Sequence, residues 1–259
     1  MNQTDQWNPD QYNKFRDQRM LPFFDLAGFL RPVAGARIID RGCGAGELTA
    51  MLAERFADAT VEGIDSSTAM LERAAPRGHH RLSFRRQDVR AVEDFGAFDI
   101  VFSNAVLQWV PGNDALLERI LREAKPGAQV AIQVPKNFNH ASHRTAREVA
   151  GEPPFRDLLA DTVPIHHVFD LELAAAMLYR YGFEDATCIE KIYGHELKQS
   201  SDVVEWVKGT SLSAYLTRLD EATGARFLDT YRTRLLAVIG EHSPYFYPFR
   251  RLLLWGQKR

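Results

Sequence analysis

The sequence predicts an α/β fold in which a mostly parallel sheet carries helices on both faces. Short apolar runs alternate with amphipathic stretches from residue 37 to residue 134, a pattern of βα units. The first three apolar runs end on or lead to an acid: Asp40, Asp65 and Asp88. A glycine-rich turn, Asp40-Arg41-Gly42-Cys43-Gly44-Ala45-Gly46, follows the first strand directly and precedes a helix.

The elements follow in order. Pro9 to Leu30 carries apolar residues at Tyr12, Phe15, Leu21, Phe24 and Leu26, which predicts an amphipathic helix or a helix pair broken near Pro22. Arg37 to Asp40 is a short strand, Glu47 to Phe56 a helix, and Thr60 to Asp65 a second strand. Ser67 to Ala75 is a helix with Ser66 or Ser67 as its N-cap. Leu82 to Phe84 leads to Asp88, Phe98 to Ser103 is a fourth strand, and Gln129 to Val134 a fifth. The helix between the last two, Asn113 to Ala124, stops at Lys125-Pro126-Gly127. Pro135 to Pro164 reads as loop and helix broken at Pro153-Pro154. Asp170 to Tyr181 is a helix stopped by Gly182, Glu184 to Tyr193 a strand, and Arg251 to Gly256 the last strand. Residues 201–240 between those two strands are mostly helical, with apolar Val203, Val204, Trp206, Val207, Leu212, Tyr215, Leu216 and Leu219. That is longer than an ordinary connection, so it is a candidate cap. One domain over 1–259, with a helical segment over 1–30, is the expected organisation.

Composition narrows the function classes. The balance of 32 basic against 34 acidic residues, net −2, offers no general attraction to a polyanion, so nucleic acid is not an expected partner. Cys43 and Cys188 are too few for a disulfide framework or a metal pair. The polar, acid-bearing opening is unlike a signal peptide, and no apolar run approaches a bilayer's thickness. A cytoplasmic protein with no membrane partner is expected, a monomer or weak dimer. His140 and His143 lie three apart and His166 adjoins His167, but no acid or cysteine completes a metal set, and surface histidines are the plainer reading. Trp109, Trp206 and Trp255 are expected in the core or a pocket wall.

Ligands of open parallel sheets bind beyond the carboxyl ends of the strands, at the switch point. Asp40, Asp65, Asp88 and the Asn104 region all fall there. An acid closing the second strand can accept from ribose hydroxyls, and one after the third can reach an adenine amino group. Each acid alone is better explained as a helix N-cap; the set points to a nucleoside cofactor. An NAD-dependent oxidoreductase would need a Gly-x-Gly-x-x-Gly loop, and Glu47 stands where its last glycine belongs. A non-catalytic binding protein is the third class.

The loop, Gly63-Ile64-Asp65-Ser66-Ser67 and Gln87-Asp88-Val89 resemble the cofactor motifs of class I S-adenosylmethionine-dependent methyltransferases. The run from Phe102 to Val110 resembles the trans-aconitate methyltransferase family, as do Trp7-Asn8-Pro9 with Tyr12, Val204 to Thr210, and Phe249 to Leu252. The resemblance implies a Rossmann-like fold: a seven-stranded mostly parallel sheet, the last strand antiparallel, helices on both faces and a helical cap. It implies S-adenosyl-L-methionine as cofactor and S-adenosyl-L-homocysteine as product. Asp40, Gly42, Cys43, Gly44 and Gly46 would lie against the methionine part and Asp65 with Ser66 at the ribose. Asp88 and the Val89 amide would meet the adenine and Met70 its face, with Asn104, Ala105 and Trp109 nearby. Arg19 would pair with the cofactor's carboxylate or remain a solvated helix charge.

For the methyl acceptor the resemblance implies a small anionic metabolite, a trans-aconitate-like acid, held by Trp7, Tyr12, Lys136, Trp206, Tyr215, Arg250 and Arg251. The alternative is O- or N-methylation of another metabolite, such as a natural-product intermediate or a carrier-bound acyl acid. Several positions depart from the family. Arg41 stands where a small apolar residue, usually Leu, is found; a cation there must be paired or snorkel to water. The family's Leu-Arg-Pro-Tyr-Leu reads Leu212-Ser213-Ala214-Tyr215-Leu216, Lys136 replaces an Asp, and Arg250 replaces a Pro. A carboxylate acceptor is already ionised at neutral pH, with a pKa of roughly 4, so no catalytic acid or base is expected.

Overall fold

The computed structural model describes residues 16–160 and 168–259, with side chains from Met20 onward. Trp7, Tyr12, the side chain of Arg19 and the His166-His167 pair lie outside the described residues. The chain forms two compact units. Among the described residues the first comprises 20–135, 168–191 and 251–259, and the second 136–160 and 192–250, together with the backbone of 16–19.

The first unit opens with α1 (Arg16–Phe29) from Met20 onward, and the helix runs on through Pro22. Of the two alternatives, one helix and a pair broken at Pro22, the single helix forms: the proline costs one backbone donor, and the burial of Phe23, Leu26 and Ala27 beyond it outweighs the lost bond. Then come β1 (Arg37–Arg41), α2 (Glu47–Arg55), β2 (Thr60–Asp65), α3 (Thr68–Ala74), β3 (Leu82–Arg86), β4 (Ile100–Asn104), α4 (Asn113–Glu123) and β5 (Gln129–Pro135). Phe98 and Asp99 fall outside β4, their backbone committed to a short 3-10 turn and to Arg37. α7 (Leu171–Arg180) leads into β6 (Phe183–Leu197), which belongs to this unit up to Lys191, and β7 (Tyr245–Lys258), which belongs to it from Arg251, closes the sheet.

The sheet has seven strands in the order β3-β2-β1-β4-β5-β7-β6. β1 pairs in parallel with β2 and β4, β2 with β3, and β4 with β5. β7 is antiparallel to β5, from Gln129↔Gln257 to Pro135↔Arg251. The strand order reverses between β1 and β4, the switch point. β1, β4 and β5 are buried on both faces, which is why they read as unbroken apolar runs. Ile39, Val101, Val130 and Ile132 of the sheet share one core with Leu117 and Ile120 of α4 and Leu178 of α7.

The second unit contains α5 (Ala141–Ala150), α6 (Phe155–Leu159), α8 (Asp202–Lys208), α9 (Ser213–Leu216) and α10 (Glu221–Ile239). Val149 of α5, Trp206 of α8 and Phe227 and Tyr231 of α10 close over a core with Tyr247 and Phe249. No described helix is long and apolar enough to cross a membrane.

Candidate functional site

The carboxyl ends of β1, β2, β3 and β4 lie side by side in the first unit, and the turn after β1 crosses them. Gly42 and Cys43 donate from their amides to Ile64 O, at 2.7 and 3.0 Å, which ties the turn to β2. Gly46 has φ +75° and opens α2; a Cβ there would sit 2.6 Å from the Phe84 ring. Gly44 also has positive φ, +55°, but a Cβ on it would meet nothing within 4 Å. The turn is therefore packed on one side and open on the other.

Three carboxylates border it. Asp40 is 4% exposed and accepts from Thr49 Oγ1 at 2.6 Å. Burial pushes its carboxyl up to about 7, the Thr49 bond opposes this, and the neighbouring Asp65 charge adds to it. Asp65 accepts from Gly44 N at 3.0 Å with one oxygen and from Ser67 N at 2.8 Å with the other, so it shapes the turn while keeping lone pairs for hydroxyl donors. Asp88 accepts from Arg90 N at 2.8 Å and pairs with the Arg90 guanidinium at 2.6 Å. These bonds hold its carboxyl below the usual range.

Around them, Ser67 caps α3 by accepting from Met70 N, Ser66 is exposed, and Met70 is half-buried. Cys43 is buried, and burial with Asp40 and Asp65 beyond it keeps its thiol protonated, so it is no nucleophile. At the end of β4 the buried Oδ1 of Asn104 has no partner, and Ala105 takes φ +60°. Val89 is buried and Trp109 is 44% exposed, outside the core, which leaves the pocket wall of the two places expected for it. An open turn, an orphaned acceptor, and one carboxyl, that of Asp40, whose charge is disfavoured by burial suit a ligand bearing hydroxyl and amino donors and positive charge.

Arg41 does not snorkel. The last residue of β1, it is 0% exposed, donates from Nη2 to Val89 O, and lies 4.6 Å from the Phe95 ring centroid. Burial pulls its guanidinium down to about 9, repulsion from Arg119 lowers it further, and Asp88 works against both.

The residues expected to hold an acceptor divide. Arg251 belongs to the first unit, buried, with Nη1 3.4 Å from Gln133 Oε1. Lys136 and Arg250 belong to the second, where Lys136 N donates to Arg250 O and Arg250 is exposed. Trp206 is buried and stacked on His195 at 4.5 Å. Tyr215 is buried and stacked on Phe227 at 5.5 Å, and burial pushes its hydroxyl up to about 12.

The histidine expectation needs correction. His140 and His143 are half-buried, and their Nδ1 atoms converge on Ser142 Oγ at 2.9 and 3.0 Å. The same hydroxyl lies 3.2 Å from Tyr247 OH, and Tyr231 OH donates to Ser142 O at 2.9 Å. Sequence reasoning did not single out Ser142, Thr49 or Arg119, because Tyr247, Asp40 and the Arg90 and Val92 carbonyls that they meet lie on other elements. The described residues hold no group of three or more metal-ligating side chains.

Comparison with known proteins is consistent with this rim. Residues 32–198 match a family model described as a methyltransferase domain. A trans-aconitate 2-methyltransferase of Deinococcus radiodurans is 41% identical, over 95% of this chain and 96% of that protein. One from Streptomyces avermitilis is 37% identical, over 97% of each. Among solved structures, the YcgJ protein of Bacillus subtilis superposes with a TM-score of 0.59 at 14% identity, covering 94% of this chain and 99% of that one. A Haemonchus contortus phosphoethanolamine N-methyltransferase, solved with S-adenosylhomocysteine, gives 0.54 at 18%, covering 93% of this chain and 52% of its own length.

Proposed function

The chain belongs to the trans-aconitate 2-methyltransferase family, and from that premise we propose that it transfers a methyl group from S-adenosylmethionine to a carboxylate of trans-aconitate, yielding a monomethyl ester and S-adenosylhomocysteine. The observation that carries this reading is the rim itself: Asp40, Asp65 and Asp88 at the ends of adjacent parallel strands, beside a glycine turn open at Gly44. Asp65, with Ser66 beside it, would take the ribose hydroxyls, and Asp88 with the Val89 amide the adenine, with Met70 on its face. Asp40 and the 42–46 turn would face the methionine portion, its cationic groups restoring the charge of Asp40. Asn104, Ala105 and Trp109 complete the proposed contacts, with Arg19 for the cofactor's carboxylate.

S-adenosylmethionine supplies a methyl on positively charged sulfur, and its transfer leaves a neutral thioether. A carboxylate acceptor is ionised at neutral pH, so no side chain need take a proton. The chain's contribution is proximity, alignment and exclusion of water, worth up to about 7–11 kcal/mol. Lys136, Arg250 and Arg251 are the cations proposed to orient the acceptor, with Trp7, Tyr12, Trp206 and Tyr215 as supporting contacts and 201–240 as the cap. Cytoplasmic action on a small metabolite, without nucleic acid, by a monomer or weak dimer belongs to the same proposal.

Incubation with methyl-labelled S-adenosylmethionine and trans-aconitate should give the labelled monomethyl ester. Transfer to other acids but not to this one would reject the acceptor. One observation favours a second reading, another small-molecule acceptor: Ser213 donates its hydroxyl to Thr210 O at 2.5 Å and offers no charge in the proposed cap.

A further inference from the structure

The segment after β3 has little backbone structure of its own. Val89–Ala91 form one 3-10 turn, closed by Ala91 N donating to Asp88 O at 2.9 Å. The carbonyls of Val89, Arg90 and Val92 take no part in that bond. Two arginines meet them from outside the turn. Arg41 donates from Nη2 to Val89 O. Arg119 of α4 donates from Nη1 to Arg90 O at 3.0 Å and from Nη2 to Val92 O at 2.6 Å, while its Nε is held by Glu123 at 3.1 Å. Both guanidiniums lie against the Phe95 ring, their central carbons 4.6 and 5.2 Å from its centroid.

The Val89 carbonyl belongs to the same planar peptide as the Arg90 N–H. That N–H is the group that donates to Asp88 Oδ1 at 2.8 Å. A donor on one edge of the plane therefore sets the direction of the other edge, which together with the Arg90 guanidinium holds the Asp88 carboxylate. Burying Arg41 is expensive, because its Nε and Nη1 have no partner while the residue is 0% exposed. An apolar side chain at the end of β1 would fill that space without the cost. A buried cation that meets a single carbonyl, on the peptide that orients Asp88, points to a role in the site above it.

We propose that Arg41, assisted by Arg119 across Phe95, is a positioning residue that holds the Val89–Arg90 peptide so that Asp88 selects an adenine base. The proposal rests on the assignment of Asp88 to the base given above. Arg41 touches neither cofactor nor acceptor; it acts through the peptide plane. Its loss therefore bears on which base is bound and on the KM for S-adenosylmethionine, and leaves kcat at saturation unchanged.

The test compares Arg41→Leu, Arg41→Lys and Arg119→Met with the unaltered chain by calorimetric titration of S-adenosylhomocysteine and its inosine analogue, in which a carbonyl replaces the base amino group. The unaltered chain should prefer the adenine compound. Arg41→Leu should reduce that preference about tenfold or more, with the inosine affinity little changed, the size expected for a misdirected charged acceptor. Arg41→Lys keeps a cationic donor for the single Val89 carbonyl and should retain more of the preference than Arg41→Leu. Arg119→Met should reduce it less, and serves where Arg41→Leu fails to fold. Equal weakening of both ligands, an unaltered preference, or unfolding of both variants would make the arginines structural only and overturn the inference. Failure of the unaltered chain to bind S-adenosylhomocysteine would instead overturn the proposed function.

Discussion

Asp40→Asn separates the cost of the rim from its use. Asp40 is 4% exposed and accepts from the Thr49 hydroxyl. Its carboxyl titrates near 7 in the folded chain, against 3.8 for an ordinary aspartate. Between those values the folded chain binds a proton that the unfolded chain has released, so stability falls as pH rises through this window and the cost is complete above about pH 7. At pH 8 the difference amounts to about 4 kcal/mol against a neutral side chain, and at pH 5 to about 1–2 kcal/mol. Asparagine is neutral throughout and can still accept from Thr49. Asp40→Asn should therefore stabilise the cofactor-free chain, and its advantage should widen by about 3 kcal/mol from pH 5 to pH 8, measured by urea unfolding. The same variant should lose affinity for S-adenosylmethionine at pH 8, where the parent carboxylate is ionised and meets a cation. An advantage independent of pH would refute the reasoning, because the burial of a charge would then not be its source.

Three further outcomes follow from the geometry. Gly46→Ala places a side chain at φ +75° and 2.6 Å from Phe84, and should cost about 2–4 kcal/mol of stability by thermal or urea unfolding. Asp65→Asn removes a charge-assisted acceptor and should weaken S-adenosylhomocysteine binding by about 10- to 100-fold in a calorimetric titration. A smaller change would remove Asp65 from the ribose contact. Ser142→Ala leaves His140, His143 and Tyr247 without their common hydroxyl and should cost about 1–3 kcal/mol, with S-adenosylhomocysteine affinity unchanged.

The parallel sheet was legible in the alternation of apolar runs and amphipathic stretches, and the rim in the acids closing β1 and β2 and following β3. Both are local signals: strand and helix periods span a few residues, and a glycine turn advertises positive φ wherever it occurs. The Ser67 cap was legible for the same reason. The length of the last two strands was not: β6 runs to Leu197 and β7 begins at Tyr245, well beyond the expected limits. Sheet pairing extends a strand past its apolar run, and pairing partners lie far away in the chain. Pro22 likewise left open one helix or a broken pair, and burial of the neighbouring residues decided for one.

Charge states were decided by the folded arrangement alone. Arg41 is an exposed-type residue by chemistry, and only the packing of Val89, Phe95 and Arg119 around β1 makes it a buried one. Asp40 owes its raised pKa to burial and to Asp65 on the next strand, and Ser142 owes its role to rings from α5 and β7. A side chain's identity specifies the groups it can offer. Whether they are solvated, paired or stranded depends on residues brought beside it from tens of positions away, and that is settled only when the core closes.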